Sequence, residues 1–201
     1  SVRRNLKVKK YYSQLLDNAL HHSAMKQLKN SEKRGRPDIT HICLLNALGS
    51  PLNKNGNLKI YIHTIQNKIF KINSEIRIAR NYNRFKGLVV NLLLDRQIVD
   101  KNIELISQVD GNLKNLIKTF ENSEVLLFSK TGNLIKNYQN IFPTNLSKNY
   151  IAIIGGFQKG RFSNEILLLS KKLVSISEYP LDAWIVVNKI INYYEIIHKI
   201  I

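Results

Sequence analysis

Ile151-Ala-Ile-Ile-Gly-Gly-Phe-Gln-Lys-Gly160 sets an apolar, β-branched run directly before a glycine loop. A short apolar run of that kind, closed by glycine, reads as a buried strand. Two more runs share the character of Tyr150–Ile154, at Val125–Phe128 and Leu173–Ile176. Helical patterning lies around them, over Leu113–Phe120, Ser163–Lys171 and from Asp182 to the C-terminus, where Ile185, Val186, Ile190, Ile191, Tyr194 and Ile197 make an apolar face. Buried strands alternating with helices predict an α/β layer built on a parallel sheet.

The glycine loop carries the first chemical suggestion. Glycines after a strand let the main chain approach a ligand and offer it amides. Phe157 stands where a dinucleotide fingerprint needs its second glycine, and Arg161-Phe162 replace the Lys and Ser/Thr of a phosphate loop. A tight turn chosen for backbone geometry explains this stretch alone equally well. A second loop, Ile176-Ser-Glu-Tyr-Pro-Leu181, follows the next strand. Ligands of open α/β sheets bind beyond the carboxyl ends of strands, so the two loops are expected to wall one pocket.

Toward the N-terminus, Tyr12–Leu28 reads as a helix, and Pro37-Asp38 opens another that Gly49 and Pro51 close. Asn53–Asn57 reads as a turn. Leu58–Ile65 and Ile69–Ile72 are strand candidates joined at Asn67-Lys68, and Leu88–Leu94 is an apolar helix. Residues 95–111 show little pattern and read as a linker.

Lys and Arg number 31 against 14 Asp and Glu, a formal charge of +17 on 201 residues. Such a field favours polyanions, nucleic acid first. No apolar run approaches the length of a membrane span, and the basic first residues lead into no signal-peptide core. Cys43 is the only cysteine, which excludes an internal disulfide and suggests a reducing, cytoplasmic setting. The histidines show no ligand spacing, so no metal is expected.

Arg77, Arg80 and Arg84 fall at i, i+3 and i+7 with Tyr82 and Phe85 interleaved. Guanidinium forks suit phosphates and stack on bases, and the aromatics tilt the cluster toward looped or single-stranded RNA. Asp38 lies among Lys33, Arg34 and Arg36. It can cap a helix or accept a substrate proton, and spacing alone favours the cap.

Taken in order, Arg34-Gly-Arg-Pro-Asp-Ile-Thr-His41, Leu58–Thr64, Arg77–Phe85, Ile154–Gly160 and Tyr179-Pro-Leu-Asp-Ala-Trp184 resemble the pseudouridine N1-methyltransferases of small-subunit ribosome biogenesis, in a compact archaeal form. The resemblance implies a single SPOUT domain over 1–201: RNA-binding motifs and a β-hairpin with a basic extension over 36–94, then a parallel sheet with a C-terminal trefoil knot and the cofactor site over 112–201, helices on both faces. It implies a homodimer, small-subunit ribosomal RNA as partner, and S-adenosylmethionine held by Leu127, Phe128, Gly155, Gly160, Arg161, Phe162 and Ile176, Ser177, Glu178, Tyr179, Pro180, Leu181. By the same resemblance Arg36, Arg77, Arg80 and Arg84 bind RNA, and Asp38 is catalytic. Ala79 departs from the family's proline there, and the family's opening strand is not among these residues. Two other functions fit much of the pattern: an rRNA-binding assembly factor without methyl transfer, and an RNA ribose methyltransferase of the same class.

Overall fold

The computed structural model describes residues 2–5, 11–144 and 148–200. In chain order the strands and helices are β1 (Val2–Asn5), β2 (Tyr11–Gln14), α1 (Asn18–Met25), α2 (Pro37–Gly49), α3 (Pro51–Lys54), β3 (Ile60–His63), β4 (Ile69–Ile72), α4 (Tyr82–Asp95), β5 (Gln97–Asp100), β6 (Ile103–Val109), α5 (Leu113–Lys118), β7 (Ser123–Leu134), β8 (Asn149–Ile154), α6 (Asn164–Leu167), β9 (Leu173–Ser175) and α7 (Ala183–His198). The expected parallel sheet is present, in the order β8-β7-β9. An antiparallel sheet, β3-β4-β6-β5, forms a second layer, and β1 pairs with β2.

Four local readings differ from expectation. The helix expected over Tyr12–Leu28 begins only at Asn18, because Asp17 accepts the Ala19 amide and starts the helix there. Residues 95–111 are no linker: they form β5 and β6, with a register shift at Ile98/Val99 that breaks the alternation. Pro51 opens the short helix α3, with the Ser50 hydroxyl accepting the Asn53 amide, so the turn expected from Asn53 starts later. The helix expected over Ser163–Lys171 covers only Asn164–Leu167.

Two cores organise the chain. Phe85 and Leu92 of α4 pack with Phe70, Ile72 and Ile106 of the antiparallel sheet, and Leu44 and Leu48 of α2 join them. Ile190 of α7 packs with Leu126, Phe128 and Val174 of the parallel sheet. Helix α2 meets both layers, because its Ala47 also contacts Ile191 of α7. The buried Glu195 carboxylate of α7 accepts the Leu52 amide at 2.8 Å, which ties α3 to the same helix.

Within the parallel sheet, Val174 has two register partners on β7, Phe128 and Asn133. The intervening chain therefore bends around β9. At Gly132 a β-carbon would lie 2.5 Å from the Val174 carbonyl carbon and 2.6 Å from its nitrogen. Only glycine permits main chain against main chain at that distance. Gly132→Ala is expected to cost about 1–3 kcal/mol or more through overpacking. Gly87→Ala, inside α4 with nothing within 4 Å of the added carbon, is expected to stabilise by about 0.5–1 kcal/mol. Denaturant unfolding of the two variants beside the wild type checks the contrast.

Candidate active site

Because β7, β8 and β9 run parallel, their carboxyl ends share one edge, where Phe128 pairs with Ile154 on one side and Val174 on the other. The loops 155–162 and 176–181 both leave from that edge. Gly160 has φ +112°, closed to most side chains, and a β-carbon there would approach Lys33 Cε at 3.0 Å. A β-carbon on Gly155 would strike the Phe157 ring at 2.8 Å, whereas one on Gly156 would meet only Thr40 Oγ1, at 3.9 Å. Phe162 lies edge-on to Phe157 with centroids 6.1 Å apart, and Arg161 is exposed. In the second loop, the buried Ser175 hydroxyl donates to the Ser177 carbonyl at 2.8 Å and Ser177 Oγ accepts the Tyr179 amide at 3.0 Å. These bonds hold Tyr179 out in solvent, with Pro180 exposed beside it and Leu181 half-buried.

A cavity of about 300 Å³ lies beside this loop, lined by Leu134, Ile135, Tyr138, Ile176, Ser177 and Glu178 among others. It takes in three of the expected cofactor residues but none from 155–162. Leu127 is fully buried and Phe128 nearly so. Their side chains are core, and only main chain at Phe128 reaches the edge.

The start of α2 lies against the glycine loop. Lys33 Nζ stands 5.4 Å from the Phe157 ring centroid, and Asn18 Nδ2 donates to Gln158 Oε1 at 3.4 Å. Here Arg36 and Asp38 form a bidentate pair: Arg36 Nε donates to Asp38 Oδ1 at 2.8 Å, and its Nη2 to Oδ2 at 2.7 Å. The helix N-cap is Arg36, so Asp38 is not the expected cap; it sits in the first turn, one residue after Pro37. The Arg36 hydrogen bonds hold the Asp38 carboxyl below the usual carboxylate range, against an opposing push from burial, and amides of the first turn help. Arg36 in turn is held charged mainly by Asp38, with smaller pulls from Tyr82 and from Asp182, just beyond the Tyr179–Leu181 loop.

The arginine segment is an irregular chain running into α4. Ile76 and Ile78 are buried while Arg77, Arg80 and Arg84 are exposed, Arg84 in the first helical turn after the Asn81 cap. This segment is pinned to α2 from below. Buried His41 donates from Nε2 to the Ala79 carbonyl at 2.7 Å and stacks on Phe85 with centroids 4.3 Å apart. Tyr82 donates its hydroxyl to Asp17 at 3.1 Å, and Lys86 Nζ reaches the same carboxylate oxygen at 3.0 Å. Sequence reasoning missed Asp17, His41, Thr40, Lys86 and Gly132. Of these only His41 carried a signal, its place three residues after Asp38. Among the described residues no group of three or more His, Cys, Asp or Glu could hold a metal, and no helix is long and apolar enough to cross a membrane.

The profile of the EMG1/NEP1 methyltransferase family matches residues 1–195. The chain belongs to that family. It is 43% identical over 188 residues to the "Ribosomal RNA small subunit methyltransferase Nep1" of Staphylothermus marinus, spanning 93% of this chain and 81% of that one. Nep1 of Saccharolobus solfataricus is 41% identical over 185 residues, spanning 92% and 81%. Among solved structures, Archaeoglobus fulgidus Nep1 bound to S-adenosylhomocysteine superimposes with a TM-score of 0.80 at 34% identity, covering 92% of this chain and 81% of that one. The α/β fold with its parallel sheet is therefore the fold of the family.

The Asp17 cluster makes an acid-stability prediction. Burial pushes the Asp17 carboxyl up, but Lys86, the Ala19 amide and Tyr82 together pull it below its ordinary value. A depressed folded-state value means that its stabilisation is complete above the unfolded value, about 3.9, and is lost as pH falls through the folded one. Asp17→Asn is expected to cost about 2 kcal/mol at pH 7. The gap to wild type should narrow below about pH 4, as followed by thermal melts across pH.

Proposed function

We propose that this chain methylates N1 of a pseudouridine in small-subunit ribosomal RNA, with S-adenosylmethionine as donor. It is a methyltransferase of the EMG1/NEP1 family, and methylation of small-subunit rRNA with that donor is the activity the family carries. The observation that carries the finer reading is the approach of the glycine loop to Lys33 and Thr40, which flank the Arg36–Asp38 pair at the start of α2. A glycine cradle beside an ionised, hydrogen-bonding carboxylate suits a flat base with an N–H facing a donor. The residues also fit the donor: a β-carbon on Gly156 would meet only Thr40 Oγ1, Gly160 has a backbone angle that side chains rarely adopt, and the 300 Å³ cavity adjoins Ile176–Glu178.

Bound there, S-adenosylmethionine supplies a methyl group already activated on a sulfonium, so positioning provides much of the acceleration. Arg77, Arg80 and Arg84 hold RNA phosphates, and the base turns out of its loop toward Asp38. The lowered Asp38 value makes it a weak base but keeps it ionised, with lone pairs to spare beyond those that Arg36 occupies. Asp38 would accept the base N1–H as a hydrogen bond, orient the nitrogen, and take its proton as the methyl passes to N1, the S–C bond breaking and the neutral thioether leaving. Arg36 steadies the carboxylate throughout.

The same reading includes a trefoil knot, supported by the way residues 129–132 bend around Val174. It includes a homodimer, supported by apolar side chains left exposed on the C-terminal part, Leu168 at 86% and Tyr179 at 74%, and a cytoplasmic setting, in keeping with a ribosomal RNA substrate.

Asp38→Asn is expected to keep the fold and lose methyl transfer by about 10²-fold or more, because a neutral amide accepts no proton. Single-turnover assays on a pseudouridine-containing hairpin test it, with the product nucleoside identified by mass spectrometry. A ribose-methylated product, or normal turnover, would remove the assignment. For the clamp, Arg80→Ala and Arg84→Ala should each weaken RNA binding and flatten the log–log salt dependence by about 0.7 for each phosphate no longer neutralised. Binding measured at several salt concentrations reads this directly.

A further inference from the structure

The hairpin of β5 and β6 differs from the rest of the molecule in charge and in what it leaves uncovered. Strand β5 ends the antiparallel sheet, so one side of its backbone has no strand partner among the described residues. On the opposite edge strand, β3, the Tyr61 ring has Phe120 packed edge-on against it. Around β5 three apolar side chains stand in solvent: Leu94 at 59%, Val99 at 51% and Ile103 at 49%. An exposed edge strand with apolar residues is a template for another strand unless something blocks it.

Charge selects the occupant. Residues 95–110 hold four carboxylates, Asp95, Asp100, Glu104 and Asp110, against two basic side chains, in a chain whose overall charge is +17. No salt bridge among the described residues engages any of the four. Asp95, Glu104 and Asp110 border a cavity of about 140 Å³ on the hairpin together with Arg96, so the lining carries three carboxylates against one guanidinium. Gln108 Oε1 is buried there with no hydrogen-bond donor. Free carboxylates repel RNA, so this face is the wrong sign for the enzyme's substrate.

We propose that the outer edge of β5 docks an extended basic segment of a partner protein, which adds a strand there and seats a lysine or arginine side chain between Asp95, Glu104 and Asp110. Main-chain hydrogen bonds to β5 supply the pairing, alternate apolar residues cover Val99, and the cation supplies the register. This surface is separate from the Arg36–Asp38 site, so its failure and the failure of the methyltransferase reading are distinguishable.

The test uses the full chain and a capped octapeptide of alternating Arg and Val, with a Glu–Val peptide as the sign control. Calorimetry at physiological salt should show binding of the Arg–Val peptide alone. The Glu104→Lys/Asp110→Lys double variant, altered at two exposed positions, should bind it at least about tenfold more weakly. Amide shift changes should concentrate at Gln97–Asp100, and N-methylating alternate peptide bonds should abolish binding to the unaltered chain. That last measurement needs no variant to fold. Equal binding by the double variant, shifts confined to other elements, or retained binding of the N-methylated peptide would overturn the proposal. Self-association of the chain that the double variant loses would also overturn it, by giving the edge to a second copy.

Discussion

Helix α2 is the element on which the other parts depend, because its packing faces two directions at once. Leu44 and Leu48 lie in the core of the antiparallel sheet, while Ala47 contacts Ile191 of α7, which covers the parallel sheet. An alanine at the second contact lets the two helices come close. The Asn46 side-chain amide donates to the Trp184 carbonyl at 3.3 Å across the same junction. With its body fixed, the first turn of α2 has no freedom to leave the sheet edge. Thr40 is therefore presented to the glycine loop, and His41 to the arginine segment, by a rigid support. Were α2 packed on one layer only, the arginine segment and the glycine loop would belong to separate surfaces.

The Arg36–Asp38 pair changes what the aspartate can do. An isolated carboxylate in a half-buried cleft would rise in basicity, whereas the guanidinium here outweighs desolvation and lowers it. The result is a carboxylate that stays ionised and keeps lone pairs free beyond those that Arg36 occupies. Tyr82 lies between this pair and Asp17, close enough to both for each charge to be felt.

The charge of the chain is not spread evenly. Exposed arginines occupy the segment leading into α4, and unpaired carboxylates occupy the hairpin at the other end of that helix. One helix thus separates a face that attracts polyanions from a face that repels them. Such a polarity gives the two ends of α4 opposite preferences for charged partners.

The parallel strands were legible in the order of residues alone, because each reads as a short continuous apolar run, although β8, at the edge of its sheet, is only half-buried where a buried strand was expected. So were the start of α2 at Pro37, the glycine loop, and the arginine cluster with its aromatics. Strands β5 and β6 were not. They are half-exposed, carry polar residues, and have a register shift at Ile98/Val99 that interrupts the period-two pattern. Asp38 looked like a cap because local spacing cannot show that Arg36 occupies the cap position and turns its guanidinium onto the carboxylate. Nor could it show Gly132 against Val174, or His41 beneath Ala79, since each joins residues about forty positions apart. Strands and turns follow from interactions within a few residues, which a sequence displays in order. The site follows from contacts that exist only once the two layers have closed on α2.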